Sequence, residues 1–234
     1  DIVVRNNRVE NNGWQGVLFL NTSSSPAAST IVVTGNTISN NGYATEVFPD
    51  PGMSPVGDEQ AGVYIVANSS SIVADVNSNT ITNNAGAGVY LGADVFDGNA
   101  SIAARVTDNI ITGNGAGAAP FNSYSSGITT EAFSFDGFTS RIDLLVQGNT
   151  LSGNAPYGVQ LFTLGDTATM CARVTGNGGT DGHLLSQNGD FLIAPGAPFP
   201  GSGTFNLERS TGTFTTRGTV DTVSAGTCDY CFGT

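Results

Sequence analysis

The chain repeats one arrangement of aliphatic and polar positions: an aliphatic residue, Asn three positions on, an aliphatic two later, and a second Asn three beyond that. Val4, Asn7, Val9 and Asn12 carry it first, followed by Val33, Asn36, Ile38 and Asn41. Val76, Asn79, Ile81 and Asn84 repeat it, as do Val106, Asn109, Ile111 and Asn114, and then Val146, Asn149, Leu151 and Asn154. After each second Asn, a glycine opens a further run: Gly16-Val17-Leu18-Phe19, Gly62-Val63-Tyr64-Ile65, Gly88-Val89-Tyr90-Leu91, Gly127-Ile128-Thr129-Thr130 and Gly158-Val159-Gln160-Leu161. Each copy predicts one coil of three short strands, and self-similarity at this period is the signature of a solenoid.

Strand geometry supplies the reason. Residues two apart share a strand face, so Val17 with Phe19, or Val89 with Leu91, point inward while Leu18 and Tyr90 point out. Coils stacked about 4.8 Å apart place each inward aliphatic over its copy in the next coil and build a continuous core. The asparagines are expected at sharp turns, in the left-handed conformation that Asn tolerates, with each side-chain amide bonded to the Asn one coil on. Two ladders result, one from Asn7 to Asn149 and one from Asn12 to Asn154. A sixth, damaged coil starts with Val174 and Asn177, resumes at Leu185 and Asn188, and takes Phe191 and Ile193 as its inward pair; His183 reads as a turn residue within it.

The fold class is therefore all-β: a right-handed, single-stranded parallel β-helix of about six to seven coils. Residues 1–193 form the coils, with loop insertions at 43–61 and 115–126, and residues 194–234 form a final coil or C-terminal cap. Asp1 enters partway through a coil, so the first layer of core is expected to be covered by a neighbour or by a preceding part of a longer protein.

Composition narrows the partners. Charged residues are only 11% of the chain, and its net charge of -12 disfavours nucleic acid and anionic membrane surfaces. No apolar run approaches the roughly 18 residues needed to span a bilayer, and any secretion signal is expected to have been removed or to lie ahead of Asp1. Cys171, Cys228 and Cys231 are too few and too scattered for a structural zinc site, and a disulfide near the C-terminus is the expected use.

The repeated Asn, aliphatic and Gly-Val-x-Leu positions resemble the parallel β-helix repeat superfamily, pectate-lyase-like solenoids that also include polygalacturonases, alginate epimerases, phage tailspikes and repeat proteins of bacterial surfaces. The likeness spans about residues 2 to 193. In the enzymes of that group, the substrate lies along the sheet made by the Gly-Val-x-Leu strands, flanked by loops. The two insertions enter at this junction here, since Gly62 and Gly127 lie far from Asn41 and Asn114, whereas other coils place the Gly four positions after the Asn.

The outward row of that sheet reads Leu18, Tyr64, Tyr90, Thr129 and Gln160, and two positions later Leu20, Val66, Gly92, Glu131 and Phe162. Tyr64 and Tyr90, with Thr129 and Gln160, suit a sugar ring; the alternative is that the insertions bury this row. Glu131, with Asp50, Asp58 or Glu59 from the first insertion, is the candidate carboxylate pair for glycosidic chemistry. The adjacent aspartates, Gly-His-Gly and Arg-x-Lys elements of polygalacturonases are missing, and Arg105 and Arg173 fall on another sheet, which disfavours a lyase.

No cofactor is expected; calcium is the one candidate metal, at the turn bearing Asp94, Asp97 and Asn99, whose oxygen ligands fit no complete loop motif. The leading expectation is an extracellular or cell-surface solenoid with a structural, adhesive or self-assembling role. The alternatives are a carbohydrate-binding or glycoside hydrolase-like β-helix, or a piece of a larger β-helix enzyme. Partners in these readings are a polysaccharide or other copies of the chain, end to end.

Overall fold

The computed structural model describes residues 1–22, 27–43, 60–95, 97–115 and 125–187, with side chains to residue 182, and the backbone of three further strands between 204 and 222. The described residues form three parallel sheets, wound in sequence as a right-handed parallel β-helix. Sheet A stacks β1 (Ile2–Arg5), β4 (Ser29–Thr34), β7 (Ser71–Asn77), β10 (Ala100–Thr107), β13 (Ser140–Gln147), β16 (Ala168–Thr175), β19 (Thr204–Ser210) and β21 (Asp221–Thr222). Sheet B stacks the short strands β2 (Arg8–Glu10), β5 (Thr37–Ser39), β8 (Thr80–Thr82), β11 (Ile110–Thr112), β14 (Thr150–Ser152) and β17 (Gly178–Gly179). Sheet C stacks β3 (Val17–Asn21), β6 (Val63–Asn68), β9 (Val89–Asp94), β12 (Ile128–Phe133), β15 (Val159–Leu164), β18 (His183–Gln187) and β20 (Phe214–Arg217).

In-register pairing turns the sequence repeat into columns. Val4, Val33, Val76, Val106, Val146 and Val174 align on sheet A. Val9, Ile38, Ile81, Ile111 and Leu151 align on sheet B. From Val33 and Ile38 onward these side chains are almost wholly buried, at 0–1% exposure, so each stacked layer removes its aliphatics from water at about 25 cal/mol per Å² of apolar surface. In the first coil, Val4, Val9, Val17 and Phe19 are only partly buried, and Ile2, Val3, Leu18 and Leu20 are exposed.

Both asparagine ladders are present and run in one direction. The backbone N–H and Nδ2 of Asn79 donate to Asn109 Oδ1 at 2.9 and 3.0 Å, while Asn79 Nδ2 also reaches back to the Val33 carbonyl at 2.8 Å. The same pattern links Asn84 to Asn114 and the Ile38 carbonyl. Rungs from Asn36 to Asn149 and from Asn41 to Asn114 are at most 2% exposed; the ladders thus satisfy buried donors that would otherwise cost about 1–3 kcal/mol each.

The left-handed turn, however, belongs to the residue before each ladder position. Asn6, Gly35, Ser78, Asp108, Gly148 and Gly176 ahead of the first ladder, and Asn11, Asn40, Asn83, Gly113 and Gly153 ahead of the second, all have φ between 54° and 69°. None of the ladder asparagines has positive φ. A rung needs its own N–H and amide aimed along the stacking axis, so the chain reverses one residue earlier. A different constraint fixes the glycine before sheet C: a Cβ on Gly62 would lie 2.7 Å from Asn84 Nδ2 and 2.9 Å from the Gly88 carbonyl.

The sixth coil also departs from the expected reading. Asp181 takes the place of an Asn: its Oδ2 accepts the N–H and Nδ2 of Asn154 at 3.0 and 2.8 Å, and its Oδ1 accepts the Gly153 N–H at 2.9 Å. Gly182 follows as the corner glycine, its carbonyl accepting from Gly158 N–H. His183 therefore opens β18 in register with Val159, rather than sitting in a turn, and Leu185 pairs with Leu161 as a strand residue. Asn188, Phe191 and Ile193 lie outside the described residues.

Cys171 on β16 is disulfide-bonded. Its partner lies outside the described residues, as do Cys228 and Cys231. The bridge thus anchors on a strand of sheet A.

Candidate functional site

Register brings the expected outward row of sheet C together: Leu18, Tyr64, Tyr90, Thr129 and Gln160 form one column, and Leu20, Val66, Gly92, Glu131 and Phe162 the next. Tyr64 and Tyr90 stack with ring centroids 4.9 Å apart and planes 10° from parallel. Tyr90 lies back along its strand across Gly92, where a Cβ would be 2.9 Å from the ring. That clearance lets the Tyr90 hydroxyl reach Glu131 Oε2 at 2.8 Å in the next coil. Gly92 was not singled out by its sequence, because a lone strand glycine does not say which ring crosses it.

The row is largely interior. Leu18 and Leu20 are exposed and Tyr64 is half-buried, but Tyr90, Thr129, Glu131, Gln160 and Phe162 are all buried. Val66, Tyr90, Phe162 and Leu164 join Ala61 and Ala87 in a second apolar cluster on the outer side of sheet C. Ser126, at the end of the second insertion, is fully buried and donates to Gln160 Oε1 at 2.9 Å. The other candidate acids, Asp50, Asp58 and Glu59, lie outside the described residues, so Glu131 is the one candidate acid of this face that the structure places.

The candidate calcium turn is held by the chain's own bonds. Asn99 Oδ1 accepts the Thr139 N–H at 2.8 Å, and Asp97 N–H donates to Ser69 Oγ at 3.2 Å, while Asp94 closes β9. Among the described residues, no group of three or more His, Cys, Asp or Glu side chains is placed to hold a metal ion. Among the described residues, no helix is long and apolar enough to cross a membrane.

Arg105 and Arg173 project from sheet A, on β10 and β16, in one column separated by Leu145. Arg105 pairs with Asp75 of the preceding coil at 3.4 Å, and Arg141 with Asp143 at 2.5 Å. These are partly exposed pairs of the kind worth about 1 kcal/mol or less. No protein-family model, curated protein or solved structure matches the chain, so its own geometry carries the functional reading.

Proposed function

We propose that this is a structural or adhesive β-solenoid of an extracellular or cell-surface setting, related to the pectate-lyase-like superfamily in architecture and without sugar chemistry on its Gly-Val-x-Leu sheet. The Tyr90–Glu131 hydrogen bond carries the reading. A catalytic carboxylate must reach a substrate oxygen, whereas Glu131 is buried and engaged by a buried phenol. The disulfide at Cys171 supports an oxidising compartment.

A second reading is carbohydrate binding or hydrolysis along sheet C, favoured by the half-buried Tyr64 stacked on Tyr90. Glu131 and a carboxylate from the first insertion, Asp58 or Glu59, would then be the acid pair. Glu131→Gln and Tyr64→Ala separate the readings in a screen for glycan binding and hydrolysis. The structural reading expects neither substitution to change any binding or turnover detected. Glycan hydrolysis abolished by Glu131→Gln in a folded protein would replace it with the second.

A further inference from the structure

A cleft of about 410 Å³ opens on the outer face of sheet A, across three successive coils and away from sheet C. That volume falls within the ~300–1,000 Å³ of small-molecule sites. Its concavity follows from side-chain length: Asn77, Thr107 and Gln147 share one column, and the short Thr107 stands between two longer amides. Asp75, Arg105 and Leu145 form the parallel column two residues away.

We propose that this cleft binds a neutral oligosaccharide. Thr34 Oγ1 donates to Asn77 Oδ1 at 2.6 Å, which fixes the amide and commits its oxygen, leaving Nδ2 to donate outward. Among the described residues no hydrogen bond engages the side chains of Thr107 and Gln147, so an amide with both a donor and an acceptor faces a hydroxyl across the floor. Paired donors and acceptors of this kind match the adjacent hydroxyls of a sugar ring. Leu145 and the flat guanidinium of Arg105 offer a surface for its C–H face.

Charge selects among saccharides. Asp75 and Asp108 outnumber the single Arg105 in the lining, and the chain as a whole carries -12. An acidic sugar would therefore meet net repulsion, and Arg105 is already turned toward Asp75. The cleft is independent of the structural reading of sheet C: a scaffold remains a scaffold if this cleft binds nothing.

The test is calorimetric titration of the full chain with cello-, manno- and xylo-oligosaccharides, with oligogalacturonides as the acidic comparison. Thr107→Phe fills the floor, Gln147→Ala removes one amide, and Tyr64→Ala reports on sheet C. Both sheet A substitutions lie at outward strand positions, and circular dichroism checks that each variant is folded. The expected result is binding of at least one neutral series, weakened about tenfold or more by Thr107→Phe and by Gln147→Ala, and unchanged by Tyr64→Ala. Absence of binding to all three neutral series, preference for the oligogalacturonides, or binding lost only in Tyr64→Ala would each overturn the proposal.

Discussion

Asn154 hands both its backbone N–H and its side-chain amide to one oxygen of Asp181, at 3.0 and 2.8 Å. Every earlier rung of that ladder is an asparagine, and those after Asn12 accept from one neighbour and donate to the next. A carboxylate accepts only, so the second ladder ends at Asp181, and sheet B ends with it at β17 among the described residues.

The two acceptor chemistries predict opposite tolerances. Asp181→Asn keeps an oxygen for Asn154 and gives up the Gly153 contact, a loss of about 1 kcal/mol. Asn114→Asp, in the buried middle of the ladder, removes the Nδ2 that donates to Asn154 Oδ1 and to the Ile81 and Thr112 carbonyls and sets a carboxylate against three acceptors. It is expected to cost about 3 kcal/mol or more, from several buried groups at ~1–3 kcal/mol each. Urea denaturation midpoints compare the two; equal losses would mean that ladder polarity does not matter.

A second contrast tests the left-handed turns. Gly176 and Gly148 have φ of 63° and 69°, but a Cβ on Gly176 meets no described residue within 4 Å, whereas one on Gly148 would sit 2.3 Å from Asp108 Oδ1. Gly176→Ala should cost about 1–2 kcal/mol from backbone strain alone. Gly148→Ala should cost more, with the excess removed in an Asp108→Ala background. Thermal unfolding of the four proteins measures this, and an excess that survives Asp108→Ala would place the clash elsewhere.

Thr163 follows Ala93 and Ala132 in an inward column of sheet C. It is fully buried, and its hydroxyl has no hydrogen-bond partner among the described residues. Burying an unsatisfied hydroxyl costs about 1–3 kcal/mol, so Thr163→Val, nearly the same shape, is expected to raise stability by about 1 kcal/mol. A lower urea midpoint for the variant would show that the hydroxyl is engaged after all.

Which parts of this were legible in the chain follows from what each feature depends on. The columns Tyr64–Tyr90–Thr129–Gln160 and Val66–Gly92–Glu131–Phe162 could be read directly, because a period of two along each strand and an identical corner in each coil leave one register. Asp181 was hidden because a carboxylate replaces the expected Asn and the spacing from Asn177 is one residue shorter than in other coils. The left-handed positions were hidden because Asn, Gly, Ser and Asp share them, a mixture that marks any turn. Burial of Tyr90, which packs with Ala61 and Ala87 at the corners, and its bond to Glu131 depend on packing to which the strand pattern is blind.

The central claim is that the outer row of sheet C from Tyr90 to Phe162 belongs to the interior of the fold, and Tyr90→Phe tests it most directly. The substitution keeps the ring on Tyr64 and removes only the hydroxyl that donates to Glu131 Oε2. Measured by urea unfolding, a structural pair predicts a loss of about 1–3 kcal/mol, because a buried carboxylate is left with one donor fewer. Unchanged or increased stability would contradict the account and mark Glu131 as a group held for chemistry at the expense of the fold.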